Sequence, residues 1–311
     1  MNRPSISVVI PVYRSGKMLA SLYERLCMVL EKMSDEWEVI LVDDASNDGT
    51  FMQMLLLRDK DQRVKLIRFA RNMGQHHATL CGLQRASGEI VYTLDDDLQT
   101  PPEEMPKLLD AIGENCDLAI GRIGNDKKHS IARNLSSRFV QWLITILLGK
   151  PKDLSLSSYR CMTRRALAGI SSFTGAHPYL PALMLNAVPI ERIANVTVAH
   201  NERAQGRSTY TLSKLLKLAS YLLINHSYLP LRFVTAWGFL LSVMSLLYAI
   251  WVLCKVIFIG SGVSGWPSLA ILVAFLSGNI LMCMGILGEY VGRLVEENSR
   301  ARQFPIFEEY L

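Results

Sequence analysis

Apolar and polar positions change in blocks along the first third of the chain, and the blocks predict strands and helices in turn. Residues 6–11, 38–42, 64–69 and 89–94 are short runs rich in β-branched and other apolar residues, each ending where polar or turn residues begin. That length and composition predict buried parallel strands. Between them, residues 18–33, 49–59 and 76–86 carry helical patterns. Strand–helix alternation over residues 5–120 predicts an α/β domain with a Rossmann-like, mostly parallel sheet. Ligands of such sheets bind beyond the carboxyl ends of the strands. Four polar clusters fall at those ends: Tyr13-Arg14-Ser15, Asp43-Asp44-Ala45-Ser46, Arg71-Asn72-Met73-Gly74 and Asp95-Asp96-Asp97-Leu98-Gln99.

The last third has a different pattern. Residues 233–254 and 266–288 contain no charged side chain, and a Gly/Ser-rich turn and Lys255 separate them. Each run is long enough to span a bilayer, which predicts a two-helix transmembrane hairpin. Arg232 precedes the first run and Arg293, Arg300 and Arg302 follow the second. The positive-inside rule then puts both outer ends in the cytoplasm. Trp266 is placed as an interfacial anchor, and Asn279 is expected to hydrogen-bond the neighbouring helix. Two further stretches read as amphipathic interfacial helices: 139–148, too short to span, and 212–224, with Lys214 and Lys217 on another face from its leucines.

Charge changes the picture through its placement. The net charge of the 311 residues is only +5. Yet Arg122, Lys127, Lys128, Arg133 and Arg138 stand against the single acid Asp126, and Arg203, Arg207, Lys214 and Lys217 have no acid among them. Such patches attract phosphates, nucleic acid or an anionic membrane face. A nucleic-acid binder explains the patches but neither the apolar runs nor the acid cluster, so no nucleic-acid partner is expected. The six cysteines are scattered without C-x-x-C or zinc spacing and read as packing residues in a reduced compartment. The amino terminus enters a strand pattern almost at once, so no secretory signal peptide is expected.

The acid cluster carries the chemistry. Asp95, Asp96, Asp97 and Gln99 follow a buried strand, and Pro101-Pro102-Glu103-Glu104 then suits a turn and a helix start. Carboxylates grouped there are costly unless a cation neutralises them. Hard oxygen ligands select Mg²⁺ or Mn²⁺, which bind through one or two carboxylates plus substrate phosphates. The alternatives are a metal–diphosphate site and an exposed acidic turn.

Taken together, Val8-Val9-Ile10-Pro11-Val12-Tyr13, Val42-Asp43-Asp44-Ala45-Ser46-Asn47-Asp48-Gly49-Thr50 and the segment from Leu94 to Gln99 resemble family 2 glycosyltransferases with the GT-A fold. Arg71-Asn72-Met73-Gly74-Gln75 and Gly285-Ile286-Leu287-Gly288-Glu289-Tyr290-Val291-Gly292-Arg293 resemble the polyprenyl-phosphate branch of that family. The resemblance covers nearly the whole chain. It implies a cytoplasmic GT-A domain over residues 1–210, an amphipathic juxtamembrane helix over 211–230, two transmembrane helices over 231–290 and a cytoplasmic tail over 291–311. It implies a bacterial inner-membrane enzyme that transfers a sugar, with inversion, from a nucleotide sugar (uridine in the usual bacterial case) to undecaprenyl phosphate. The product serves cell-envelope glycan or lipopolysaccharide modification.

The resemblance also assigns roles. Asp95, Asp97 and Gln99 would hold Mg²⁺ or Mn²⁺ and the donor diphosphate, with Asp96 less direct. Pro11, Tyr13, Asp43 and Asp44 would line the base and ribose pocket, and Asn72 and Gly74 would border the donor. Arg122, Arg133 and Ser137 match catalytic and acceptor-phosphate contacts alongside Asp97. Arg203, Arg207, Ser208 and Tyr210 match a loop that orders over phosphates. Assembly into a homo-oligomer, a tetramer by family resemblance, is implied through the spans and the tail, whose Phe304, Ile306 and Phe307 are expected to dock on a neighbour. The chain departs from the family at Arg14-Ser15, where Asn-Glu is common, and at Thr209, where lysine is usual. Asp153 is expected to face sugar or acceptor, with Tyr159 packed beneath, and His76 and His77 read as helix-start packing or surface. A processive polysaccharide synthase would carry more spans and Q-x-x-R-W, which is absent from the sequence. A non-catalytic membrane scaffold that keeps the fold is the other alternative.

Overall fold

The computed structural model describes residues 3–123, 145, 150–151, 153–199, 201, 229–259, 265–298 and 304–311. The chain divides into two units, residues 1–210 with 301–311, and residues 211–300.

Among the described residues, the first unit is built on one mixed, mostly parallel sheet of eight strands. In chain order the strands are β1 (Ile6–Val12), β2 (Trp37–Asp43), β3 (Val64–Phe69), β4 (Ile90–Thr93), β5 (Leu118–Ile123), β6 (Arg160–Thr163), β7 (Ile193–Val198) and β8 (Ile306–Tyr310). Their spatial order is β7-β5-β6-β4-β1-β2-β3-β8. The four strands predicted from the apolar runs form the parallel centre, β4-β1-β2-β3. Every residue of β1 and β2 is buried, which is why these strands read as continuous apolar runs.

Alternate side chains of the central strands feed two cores. Ile6, Val8 and Ile10 pack with α1 (Gly16–Met33) and α2 (Thr50–Lys60). Val9, Ile40 and Val42 pack with α3 (Gln75–Leu83) and with α5 (Arg164–Ser171) and α6 (Leu180–Ala187). The short α4 (Met105–Ala111) precedes β5 and packs with the first core through Met105 and Leu108. Gly82 lets α3 lie against β1, since a Cβ there would sit 2.4 Å from Val9 Cγ1.

The predicted helices shift by a few residues. The third ends at Leu83 rather than Ala86, where backbone N–H groups of Arg85 and Ala86 bond to carbonyls three residues back. The tail also differs from its expectation. Part of it is occupied within its own chain: β8 pairs antiparallel with β3, Phe304 stacks on Phe69 at 6.0 Å, and Arg68 and Arg85 pair with Glu308 and Glu309, while Phe307 stays exposed. The edge that β3 would otherwise expose is thereby covered.

The second unit contains α7 (Leu229–Ile259) and α8 (Trp266–Asn298), of 31 and 33 residues. At the usual helical rise each is over about 45 Å long. Among the described residues one window, Phe275–Gly292 in α8, is long and apolar enough to cross a membrane. Phe239, Phe258 and Leu281 are more than two-thirds exposed. Asn279 makes the interhelical contact expected of it, accepting from Trp237 Nε1 at 3.0 Å. The amphipathic stretches 139–148 and 212–224 lie outside the described residues, Thr145 excepted.

Candidate active site

The four polar clusters converge at the carboxyl edge of the parallel strands. Pro11, Tyr13, Asp44, Asn72, Gly74, Asp95, Asp96 and Asp97 line one cavity of about 500 Å³, together with Val12 and Gln75. Three of the loops that build it carry a non-glycine residue in the left-handed region: Arg14 (φ 54°), Ala45 (φ 59°) and Leu98 (φ 56°). Backbone strain of this kind is held where surrounding contacts over-determine the loop.

Those contacts are specific. Asp44 accepts from the Met73 N–H at 2.6 Å and the Gly74 N–H at 2.8 Å, and its own carbonyl accepts from Asn72 Nδ2 at 3.2 Å. The loops after β2 and β3 are thus joined by one carboxylate. Gly74 has φ +91°, so it turns the chain into α3 where a side chain would be strained. Asp43 is fully buried beneath the cavity and does not line it. Its Oδ1 accepts from the Ser46 N–H at 3.0 Å, Oδ2 has no hydrogen bond, and Arg68 Nε stands 3.5 Å away. Burial pushes the carboxyls of Asp43 and Asp44 above the ordinary range.

The three aspartates after β4 point to different partners. Asp95 accepts from Gln75 Nε2 and from Ser158 Oγ, both at 2.5 Å. Asp97 accepts from the Gln99 N–H at 3.1 Å and from Gln99 Nε2 at 2.6 Å. Asp96, expected to be the least direct of the three, accepts from the Tyr13 N–H at 3.2 Å and from Ser15 Oγ. Burial pushes Asp96 up to about 6 against those two bonds. Gln99 turns its amide nitrogen to Asp97 and lies outside the cavity lining.

Four carboxylates line this cavity, and among the described residues no lysine or arginine does. No three His, Cys, Asp or Glu among the described residues form a closed metal cage. An all-oxygen donor set with incomplete protein coordination fits Mg²⁺ or Mn²⁺, which keep positions for substrate phosphates. The residues present therefore fit a divalent cation shared with a phosphorylated ligand.

The other expected residues fall elsewhere. Arg122 is exposed near the end of β5, opposite Thr197 of β7. Arg133, Ser137, Arg203, Arg207, Ser208 and Tyr210 lie outside the described residues. Asn201, just before the last four, donates its N–H to the Gln99 carbonyl at 2.8 Å. Asp153 is exposed. Tyr159 is buried and donates to the Pro101 carbonyl at 3.2 Å. His76 packs edge-on against Tyr179, and His77 Nε2 lies 2.9 Å from the Ala176 carbonyl. Three residues that carry no role in the sequence pattern, Ser15, Gln75 and Ser158, hold the acidic segment. Ser15 and Gln75 left a signal, the first as a departure from the family pattern and the second as the last residue of the Arg71–Gln75 motif.

The sequence model described as Glycosyl transferase family 2 matches residues 7–168. The chain belongs to that family. An undecaprenyl-phosphate 4-deoxy-4-formamido-L-arabinose transferase from Pectobacterium atrosepticum is 32% identical over 308 residues, 96% of this chain and 92% of that protein. One of the same name from Yersinia pestis is 31% identical over 98% of this chain and 94% of its own length. Family membership and these transferase relatives make the chain a glycosyltransferase. Among solved structures, glucosyl-3-phosphoglycerate synthase from Mycobacterium tuberculosis, in complex with Mn²⁺, UDP and glucosyl-3-phosphoglycerate, superposes with a TM-score of 0.55 at 18% identity. The match covers 72% of this chain and 80% of that one. That likeness shows the fold, a mixed and mostly parallel α/β sheet.

Proposed function

We propose that this family 2 glycosyltransferase moves a sugar from a uridine-diphosphate donor to the phosphate of undecaprenol, with inversion at the anomeric carbon. The observation that carries the reading is the cavity at Asp95 and Asp97, in a chain similar over almost its full length to undecaprenyl-phosphate sugar transferases. The nucleoside would lie along Pro11, Tyr13 and Asp44, and the diphosphate at Asp95 and Asp97, with Gln99 bracing Asp97. A bound Mg²⁺ or Mn²⁺ would supply positive charge to the leaving diphosphate.

The acceptor is already an anion, so no strong base is needed. A phosphate oxygen forms the new bond to the anomeric carbon, and the bond from that carbon to the diphosphate oxygen breaks. The nucleoside diphosphate leaves with the electron pair. This chain's task is to hold two anions together in a preorganised field. Arg122, Arg133 and Ser137 are proposed at the acceptor phosphate, and Arg203, Arg207, Ser208 and Tyr210 over the phosphates. The Asn201–Gln99 contact supports the last assignment, because that loop begins beside the acidic segment. Arginine suits this work through its bidentate donors.

The acceptor is a membrane lipid, and α7 and α8 are read as the anchor in the bacterial inner membrane. In sequence they lie between β7 and β8, strands of one sheet. A pair of crossings returns the chain to the side it left, which supports a catalytic domain and both termini in the cytoplasm. Homo-oligomerisation, a tetramer by family resemblance, is part of the same reading.

The test is direct. Detergent-solubilised full chain, undecaprenyl phosphate and Mn²⁺ or Mg²⁺ are incubated with a panel of UDP-sugars, and lipid products are read by mass. A polyprenyl-monophosphate sugar from at least one donor is expected. Free sugar alone, or polymer, would refute the reading.

A further inference from the structure

Arg160 is a buried charge that the site described above leaves unused. It opens β6 opposite Thr93, the last residue of β4. It is only 4% exposed, and its Nε has no hydrogen-bond partner. Burial lowers the guanidinium to about 10, and the opposing charge is Asp95. A buried guanidinium is costly unless acceptors meet its fixed fork of donors.

The guanidinium lines a second cavity, of about 260 Å³, shared with Asp95, Thr79, Ser157, Ser158 and Tyr179. The Tyr179 ring meets His76 edge-on, with centroids 5.0 Å apart and planes at 80°. This cavity and the larger one have Pro11, Gln75 and Asp95 in common. A ligand that fills both therefore has its junction at Asp95. In the donor reading above, that junction is the diphosphate and the larger cavity takes the nucleoside. The smaller one is left for the remaining part of the donor.

We infer that the Arg160 cavity receives the sugar of the nucleotide-sugar donor. Arg160 is there the specificity-determining residue, donating hydrogen bonds to an acceptor oxygen on the sugar. The inference rests on the donor reading and adds the residue that selects the sugar. The walls suit such a guest: Leu156, Tyr179 and Leu180 offer apolar surface to a ring face, and Thr79, Ser157 and Ser158 carry hydroxyls. Among the described residues Arg160 is the only Lys or Arg lining the cavity, and Asp95 already opposes it. That balance favours a neutral or singly charged substituent over a phosphate. A site built around a buried donor discriminates strongly against a ligand lacking the matching acceptor.

The experiment uses the detergent-solubilised full chain with Mn²⁺. Calorimetry compares UDP with UDP-glucose, UDP-N-acetylglucosamine and UDP-glucuronate, and the tightest-binding UDP-sugar is carried forward. In Arg160→Gln, UDP affinity is expected to stay within roughly threefold of the parent, while the UDP-sugar weakens by about tenfold or more. Ser157→Leu adds bulk to the cavity wall while leaving Arg160 in place and is expected to give the same split. It decides the matter if Arg160→Gln does not fold. Equal weakening of UDP and UDP-sugar, or no weakening of either, overturns the inference. A parent chain that binds no UDP with Mn²⁺ overturns the donor reading, and the inference with it.

Discussion

Ser15 Oγ donates a hydrogen bond to Asp96, the middle carboxylate of the acidic segment, from 81 positions away in sequence. The same carboxylate also accepts from the Tyr13 N–H. Asp96 therefore ties the loop after β1 to the loop after β4, across the mouth of the cavity. The family pattern commonly has glutamate where this chain has Ser15. A carboxylate at that position would face a buried carboxylate, and serine offers it a donor instead. Restoring the family residue by Ser15→Glu should lower the melting temperature and weaken UDP–Mn²⁺ binding by about tenfold, since like charges in a buried site repel. Ser15→Ala should cost about 1.5–3 kcal/mol, the usual worth of a hydrogen bond to a charged group. Unchanged denaturation midpoints in both variants would rule out this role for the pair.

Asp97 is held by Gln99 through both the backbone and the side chain. Asp97→Ala should reduce sugar transfer by about a hundredfold or more while leaving the circular-dichroism spectrum intact, as loss of a group that positions transition-state charge does. EDTA should abolish transfer in the parent, and Mn²⁺ or Mg²⁺ should restore it. Gln99→Ala should fall between the two, because it removes only the side-chain bond to Asp97. Transfer that persists in EDTA would contradict the metal assignment.

Stability in acid should report on Asp61. Its carboxylate accepts from Arg63 and from Tyr23 Oη, which ties α1 to the turn before β3. The Arg63 guanidinium is the largest cause holding Asp61 down at about 2, from an ordinary value of 3.8. A depressed carboxyl contributes stability above its unfolded pKa and loses it as pH falls through its folded pKa. The parent should therefore lose denaturant resistance between pH 4 and pH 2, and Asp61→Asn should show a shallower loss there with lower stability at pH 7. Parallel curves for the two proteins would rule out this linkage.

Close packing of α3 on β1 leaves no room at Gly82, where a Cβ would meet Val9. Gly82→Val should destabilise by about 1–3 kcal/mol, the cost of overpacking a filled core. Ala45 offers the reverse case, because its left-handed backbone suits glycine better than alanine. Ala45→Gly should raise stability by up to about 1 kcal/mol. Both are read from denaturation midpoints.

The central strands and their order of appearance were legible because β1 and β2 are buried on both faces. A strand packed on two sides must be apolar throughout, and such a run shows in one dimension. The four polar clusters were legible because the apolar runs give way to polar residues at the strand ends, even where, as at Asp43 and Asp44, those residues are buried. β5, β6, β7 and β8 were not foreseen. β7 alternates little in burial, β6 is four residues long, and β8 is the last described strand, met only after two long apolar helices. Nothing local in Ile306–Tyr310 says that β3 is its partner, since strand pairing is a contact between distant segments.

The sequence by itself determined the fold class, the edge of the sheet that bears the chemistry, the oxygen-rich acid cluster and the apolar runs at the carboxyl end. Each of these is written in residue type and spacing. Only the tertiary structure decided that Asp43 lies beneath the cavity while Asp44 lines it, that Ser15 answers Asp96, and that Arg160 reaches the far side of Asp95. Those facts depend on which loops the parallel sheet brings together. Burial and pairing of a charged side chain are set by neighbours many residues away.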